Sequence, residues 1–194
     1  SGEVAAMTTQ VLFVQGGGAG VHDEWDHQLV ASLDRELGPA YAVRYPRMPN
    51  EGDPSYSAWK PALLDQLDIL QNGAVLVGHS VGGTILIHAL AEPPPKRRLG
   101  GLFLIAAPFI GEGGWPSDEI RSCTDFSQRL PADIQVFLYH GVEDDIVPFP
   151  HVHLYARSIP QAVVHALAHG NHQLNNDMSE VAQDIQALSF DRTS

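Results

Sequence analysis

Six short apolar runs alternate with amphipathic stretches along this chain, and that alternation leaves it few folds. The runs are Val11–Gln15, Tyr41–Tyr45, Ala74–Gly78, Leu102–Ala106, Val136–His140 and Ala162–Ala166. Most lack a clean polar–apolar alternation, the pattern of strands covered on both faces of a parallel sheet. Helical spacing fills the gaps. Leu29, Leu33 and Leu37 recur at i, i+4, i+8 within Trp25–Leu37, and Leu63, Leu67 and Leu70 form one stripe within Tyr56–Leu70. Val81–Leu90 and Asp177–Leu188 repeat the pattern, and His151–Ser158 is a shorter case. Repeated strand–helix units predict an α/β fold: a three-layer α/β/α sandwich around a doubly wound, mainly parallel sheet of about six strands. With 194 residues, this is one domain over residues 10–194. Residues 1–9 read as a tag remnant or a disordered N-terminus, with Ser1–Ala6 preceding Met7. The Pro93–Arg98 stretch reads as a loop. The Pro108–Gln135 connection is too short for a cap domain and has room for one short helix, over Ser117–Leu130.

Composition removes several function classes. Eleven basic against 23 acidic residues give a net charge of −12, which repels phosphate backbones and argues against nucleic-acid binding. No apolar run has the length of a membrane span. The one cysteine, Cys123, can form neither an internal disulfide nor a multi-cysteine metal site. Ten histidines are present, but none forms H-E-x-x-H, so no metal and no cofactor is expected. The glycines after the first run fail the dinucleotide pattern G-x-G-x-x-G, because the last required position is Val21. A P-loop pattern is absent too. The N-terminus shows no basic start followed by an apolar stretch, so the expected location is cytoplasmic. No heptad repeat marks an oligomer interface.

In doubly wound sheets, chemistry sits beyond the carboxyl ends of the strands. The third run leads into Gly78-His79-Ser80-Val81-Gly82-Gly83. This is G-x-S-x-G between an apolar strand and a helix-forming segment, the setting in which a sharp turn lifts a serine hydroxyl above the sheet. Such a hydroxyl needs a base, and the base needs an orienting acid. Glu143, Asp144 and Asp145 follow the fifth run. Asp144 lies between the exit at Gly141 and the anchor Val147-Pro148, so it is the first candidate acid, ahead of Asp145 and Glu143. His169 and His172 follow the sixth run. His172 comes after the flexible pair Gly170-Asn171 and is the preferred base. The first run ends in Gln15-Gly16-Gly17-Gly18-Ala19-Gly20, whose open backbone can present N–H groups to an oxyanion. Gly17 is the preferred donor there, with Gly18 second. Val81 N–H, at the start of the following helix, is the expected partner donor. Phe109, Ile110, Trp115 and Trp25 are candidate walls of a substrate pocket, and each reads equally well as a packing residue.

With these residues in place, the chain resembles the α/β-hydrolase superfamily. GHSVGG around Ser80, GVEDDIVP around Asp144, GNHQL around His172 and the QGGG loop carry the likeness. The short length, the absence of a lid, the PRMPN segment at Pro46–Asn50, and Trp59 resemble the small serine hydrolases of the retinoblastoma-binding-protein-like group. One departure is Gln15-Gly16, where many relatives have His-Gly. The resemblance implies a serine esterase, with EC 3.1.1 chemistry as the first expectation. It would act on a small or accessible carboxylic ester through a Ser80–His172–Asp144 acyl-enzyme mechanism. The alternatives are thioester or amide hydrolysis, or a catalytically weak fold used as a protein-binding module.

Overall fold

Each of the six apolar runs forms a strand. The computed structural model describes residues 7–92 and 97–188. Ser1–Ala6 and most of the proline-rich stretch, Pro93–Lys96, lie outside the described residues. The strands are β1 (Thr9–Val14), β2 (Tyr41–Arg44), β3 (Ala74–His79), β4 (Leu99–Ile105), β5 (Val136–Gly141) and β6 (Val163–Leu167). Thr9, the last residue of the expected N-terminal tail, already opens β1. The order across the sheet is β2-β1-β3-β4-β5-β6, and every pairing is parallel.

The helices are α1 (Asp26–Leu37), α2 (Tyr56–Asp68), α3 (Val81–Leu90), α4 (Phe126–Arg129), α5 (His151–Ser158) and α6 (Ser179–Gln186). A π-helical turn over Val21–Trp25 leads into α1. Strand side chains alternate between two cores. Leu12, Val14, Leu76, Leu102, Leu104 and Leu138 face α2, α3 and α5, where Trp59, Leu63, Ile87, Val152 and Tyr155 cover them. Val11, Phe13, Val75, Val77, Phe103 and Ile105 face α1 and α6, meeting Leu29, Leu33, Val181 and Ile185. This two-sided cover is the reason the central strands read as unbroken apolar runs.

The connection between β4 and β5 differs from expectation. Of the span Ser117–Leu130, only Phe126–Arg129 is helical. Pro116 precedes it, and the Ser117 hydroxyl accepts from the N–H groups of Glu119 and Ile120. The Glu119 carboxylate is drawn to the first turn of α2, where it accepts from Tyr56 N–H and from the Ser57 hydroxyl. These side-chain bonds compete with a helical ladder and pin the connection to the body of the protein.

The winding direction reverses at β1. The chain leaves outward to β2 and returns to β3 on the other side of β1. The crevice beyond the ends of β1 and β3 is therefore the topological switch point, where such sheets hold ligands.

Candidate active site

Ser80 follows the last residue of β3 with φ 55° and ψ −132°, a conformation that costs a non-glycine residue about 1–3 kcal/mol. Its surroundings enforce the turn. Ser80 N–H donates to Ile105 O on β4 at 2.8 Å. A side chain at Gly78 would come within 2.5 Å of Gly83 Cα, and one at Gly82 within 1.9 Å of Gln15 O. The two motif glycines thus let α3 lie directly against the ends of β3 and β1.

The turn brings three strand ends together. Ser80 Oγ lies 3.0 Å from His172 Nε2, and His172 Nδ1 lies 2.9 Å from Asp144 Oδ2. The Asp144 side chain is fully buried. Its other oxygen accepts from the N–H groups of Ile146 and Val147, each at 2.9 Å, and His140 Nε2 stands 3.3 Å from Oδ2. Burial opposes the carboxylate charge. The hydrogen bonds from His140, His172 and Ile146 outweigh it and hold Asp144 well below the usual carboxylate range. An ionised Asp144 only accepts, so Nδ1 of His172 carries the proton and Nε2 turns its lone pair toward the Ser80 hydroxyl.

The competing candidates lie apart from this line. Asp145 and Glu143 are exposed at the rim of the cavity in front of Ser80. His169 is exposed and meets Glu143 at 3.3 Å. That cavity, of about 440 Å³, is lined by Gly16, Gly17, Val21, Trp25, Ile146 and Asn171 around Ser80 and His172. Trp25 is thus at the pocket. Phe109 and Trp115 are not among its walls. Phe109 packs edge-on against Tyr155 in the core, and Trp115 packs against His151. The Ile110–Trp115 bridge folds their segment toward α5.

The glycine loop is held by groups that the motif reading did not single out. Gly18 N–H donates to Glu51 O at 2.7 Å, and Gly16 N–H donates to the Asp26 carboxylate at 2.7 Å. The Glu51 carboxylate accepts from Gly20 N–H, His22 N–H and the Gln15 amide. Gln15 is fully buried and accepts from Met48 N–H at 2.8 Å. It ties the loop to the PRMPN segment, which Trp59 holds from below through Nε1–H to Pro49 O. The N–H groups of Gly17 and Val81 have no hydrogen-bond partner among the described residues. The two residues also touch: a Cβ on Gly17 would lie 2.8 Å from Val81 Cγ1.

No group of histidine, cysteine and acidic side chains suited to a metal ion occurs among the described residues. No helix among them is long and apolar enough to cross a membrane.

Solved structures share this architecture. The product of the ydeN gene of B. subtilis superposes with a TM-score of 0.73 at 21% identity, covering 93% of this chain and 100% of that one. Mouse alpha/beta hydrolase domain-containing protein 10 gives 0.63 at 18% identity, covering 96% and 90%. The esterase RhEst1 from Rhodococcus sp. gives 0.64 at 18% identity, covering 94% and 92%. At these identities the likeness establishes the α/β-hydrolase fold. No curated protein matches the sequence. The serine hydrolase family model matches residues 12–187, nearly the whole chain. By its fold and by this match, the chain belongs to the serine hydrolase family of α/β-hydrolases.

Proposed function

We propose that this hydrolase cleaves small or accessible carboxylic esters through a Ser80 acyl-enzyme. The supporting observation is the unbroken hydrogen-bond line from Ser80 Oγ through His172 to buried, ionised Asp144. In this reading, His172 Nε2 takes the hydroxyl proton as Ser80 Oγ attacks the ester carbonyl. Asp144 fixes the tautomer and offsets the imidazolium charge. The N–H groups of Gly17 and Val81 receive the oxyanion. Both are unspent in the resting site, whereas those of Gly16 and Gly18 are engaged. His172 then passes its proton to the leaving alcohol. Water, deprotonated by the same imidazole, attacks the acyl-enzyme and regenerates the serine.

The pocket favours an uncharged substrate. Val21, Trp25 and Ile146 give it apolar walls, and Glu143 and Asp145 stand at its rim. Those carboxylates disfavour anionic acyl carriers. The open rim and the pinned β4–β5 connection leave the ester accessible, with no cap over it.

Fluorophosphonate labelling tests the nucleophile. Wild type is expected to be modified at Ser80, and Ser80→Ala is expected to be inert. An unlabelled wild type would refute the reading. A panel of p-nitrophenyl esters of increasing acyl length, run beside acyl-CoA and amide substrates, tests the substrate class. Faster turnover of thioesters or amides than of esters would move the assignment.

A further inference from the structure

A second histidine–aspartate pair lies beneath the first. His79 is the residue before Ser80, and its side chain is almost wholly buried. Nδ1 lies 2.9 and 3.0 Å from the two carboxylate oxygens of Asp26, at the start of α1. Nε2 lies 2.9 Å from the backbone carbonyl of His172. Both partners are acceptors. A neutral imidazole has only one N–H, so this geometry calls for the doubly protonated ring.

Asp26 has no exposed surface and is satisfied on every side. Oδ2 accepts from Gly16 N–H at 2.7 Å, and Oδ1 accepts from the Gln173 amide at 3.1 Å. Gly16 packs tightly on the pair: a Cβ there would lie 3.3 Å from His79 Nδ1 and 3.5 Å from Asp26 Oδ2. The pair therefore touches all three loops of the site. It holds the glycine loop through Gly16, the nucleophile turn through His79 itself, and the base loop through His172 O and Gln173.

We propose that the buried Asp26–His79 ion pair is a positioning device that sets the glycine loop, Ser80 and His172 in register. This rests on the hydrolase reading, since the register matters only if Ser80, His172 and the Gly17 N–H act on one carbonyl. The physical case is economy of connection. A hydrogen bond between any two of the loops from β1, β3 and β6 leaves the third free. One charge pair with four directed bonds fixes all three. The charged and titratable groups facing His79 are Asp26 from α1, His172 from the base loop, with ring centres 4.9 Å apart, and Asp144 beyond it. Burial opposes the imidazolium. Asp26 and the His172 carbonyl outweigh burial and raise its titration above the ordinary histidine range.

Two measurements test the proposal. Two-bond ¹H–¹⁵N spectra of wild type read the His79 ring directly and need no substrate. Both ring nitrogens protonated at neutral pH is the expected result, and a neutral tautomer there overturns the proposal. Kinetics follow with Asp26→Asn and with His79→Gln, which keeps a donor toward His172 O but no charge. In either variant, if folded, kcat and the rate of fluorophosphonate labelling are expected to fall about a hundredfold, the cost of an ångström-scale misplacement. KM should stay within about threefold, since the apolar walls Val21, Trp25 and Ile146 are unchanged. A folded variant that retains kcat within about threefold of wild type overturns the proposal. If neither variant folds, a neutral His79 ring in wild type still overturns it. Absence of labelling in wild type would instead strike the hydrolase reading, leaving the His79 spectrum intact as a separate result.

Discussion

The substitution Gly82→Ala asks how much of the site depends on the contact between α3 and the end of β1. A methyl group there would stand 1.9 Å from Gln15 O, 2.8 Å from Gln15 C and 2.9 Å from Val14 O. All three are backbone atoms, so no side chain can swing aside. Cβ atoms do not come within about 3.0 Å of such neighbours, so the helix and the strand end must part by about 1 Å. Gln15 leads directly into Gly16 and Gly17, and Gly82 follows Val81. The displacement therefore separates the two N–H groups assigned to the oxyanion. An ångström of misplacement costs about a hundredfold in rate, and overpacking costs about 1–3 kcal/mol in stability. The assay is kcat/KM on a short p-nitrophenyl ester, with thermal melting in parallel. Gly52→Ala is the control, because the nearest atoms its methyl would meet are those of Ala19, at an ordinary 3.7 Å and beyond. Turnover in Gly82→Ala within about threefold of wild type, with an unchanged melt, would refute the reasoning, because a rigid contact would then have yielded without consequence.

Asp144→Asn keeps the shape but can present an amide to His172 Nδ1. The tautomer then reverses, Nε2–H faces Ser80, and turnover is expected to drop by about 10⁴ with the fold retained. Full activity in that variant, together with its loss in Asp145→Asn, would transfer the role to the neighbour. The same residue governs acid stability. Its folded carboxyl titrates below the ordinary value, so the unfolded chain takes up the proton first. The resulting stabilisation is complete above the unfolded pKa, near 3.8, and is lost as pH falls toward the folded value. Urea midpoints from about pH 6 down to about pH 3, roughly one unit past the unfolded pKa, should therefore fall more steeply for wild type than for Asp144→Asn; parallel slopes would contradict the linkage. Trp59→Ala removes a fully buried ring and its bond to Pro49 O, so a loss of about 3–5 kcal/mol is expected by denaturant titration. Glu51→Ala unties three donors from the glycine loop, and slower fluorophosphonate labelling than wild type is its expected signature.

Periodicity made the central strands legible, because burial on two faces leaves a continuous apolar run; the edge strands β2 and β6 are apolar runs too, though partly exposed. The Ser117–Leu130 helix failed for a reason that composition hides. Ser117 and Glu119 bond to the backbone of their own turn and of α2, and only the α2 contact, some sixty residues away in sequence, shows why. Phe109 and Trp115 follow a strand just as the site residues do. Their side chains nevertheless turn toward α5, because the Ile110–Trp115 bridge closes the segment back on itself. Position after a strand thus tells which edge a residue reaches, but not which way its side chain turns there.

That distinction also explains why the Asp26–His79 pair escaped a motif reading. Ser80, Asp144 and His172 each sit on a loop whose chemistry is visible in the loop itself. His79 looks like the variable letter of G-x-S-x-G, and Asp26 looks like an acidic residue opening a helix. Only their contact across 53 residues gives them a role. Strand ends deliver functional groups to a common edge with an error set by loop flexibility, whereas hydrolysis tolerates errors well under an ångström. A buried charge pair narrows that gap, since each of its bonds is directional and an unpaired charge at that depth is costly. The sequence pattern therefore marks the groups proposed to react, and the groups proposed to hold them in register become visible only through packing.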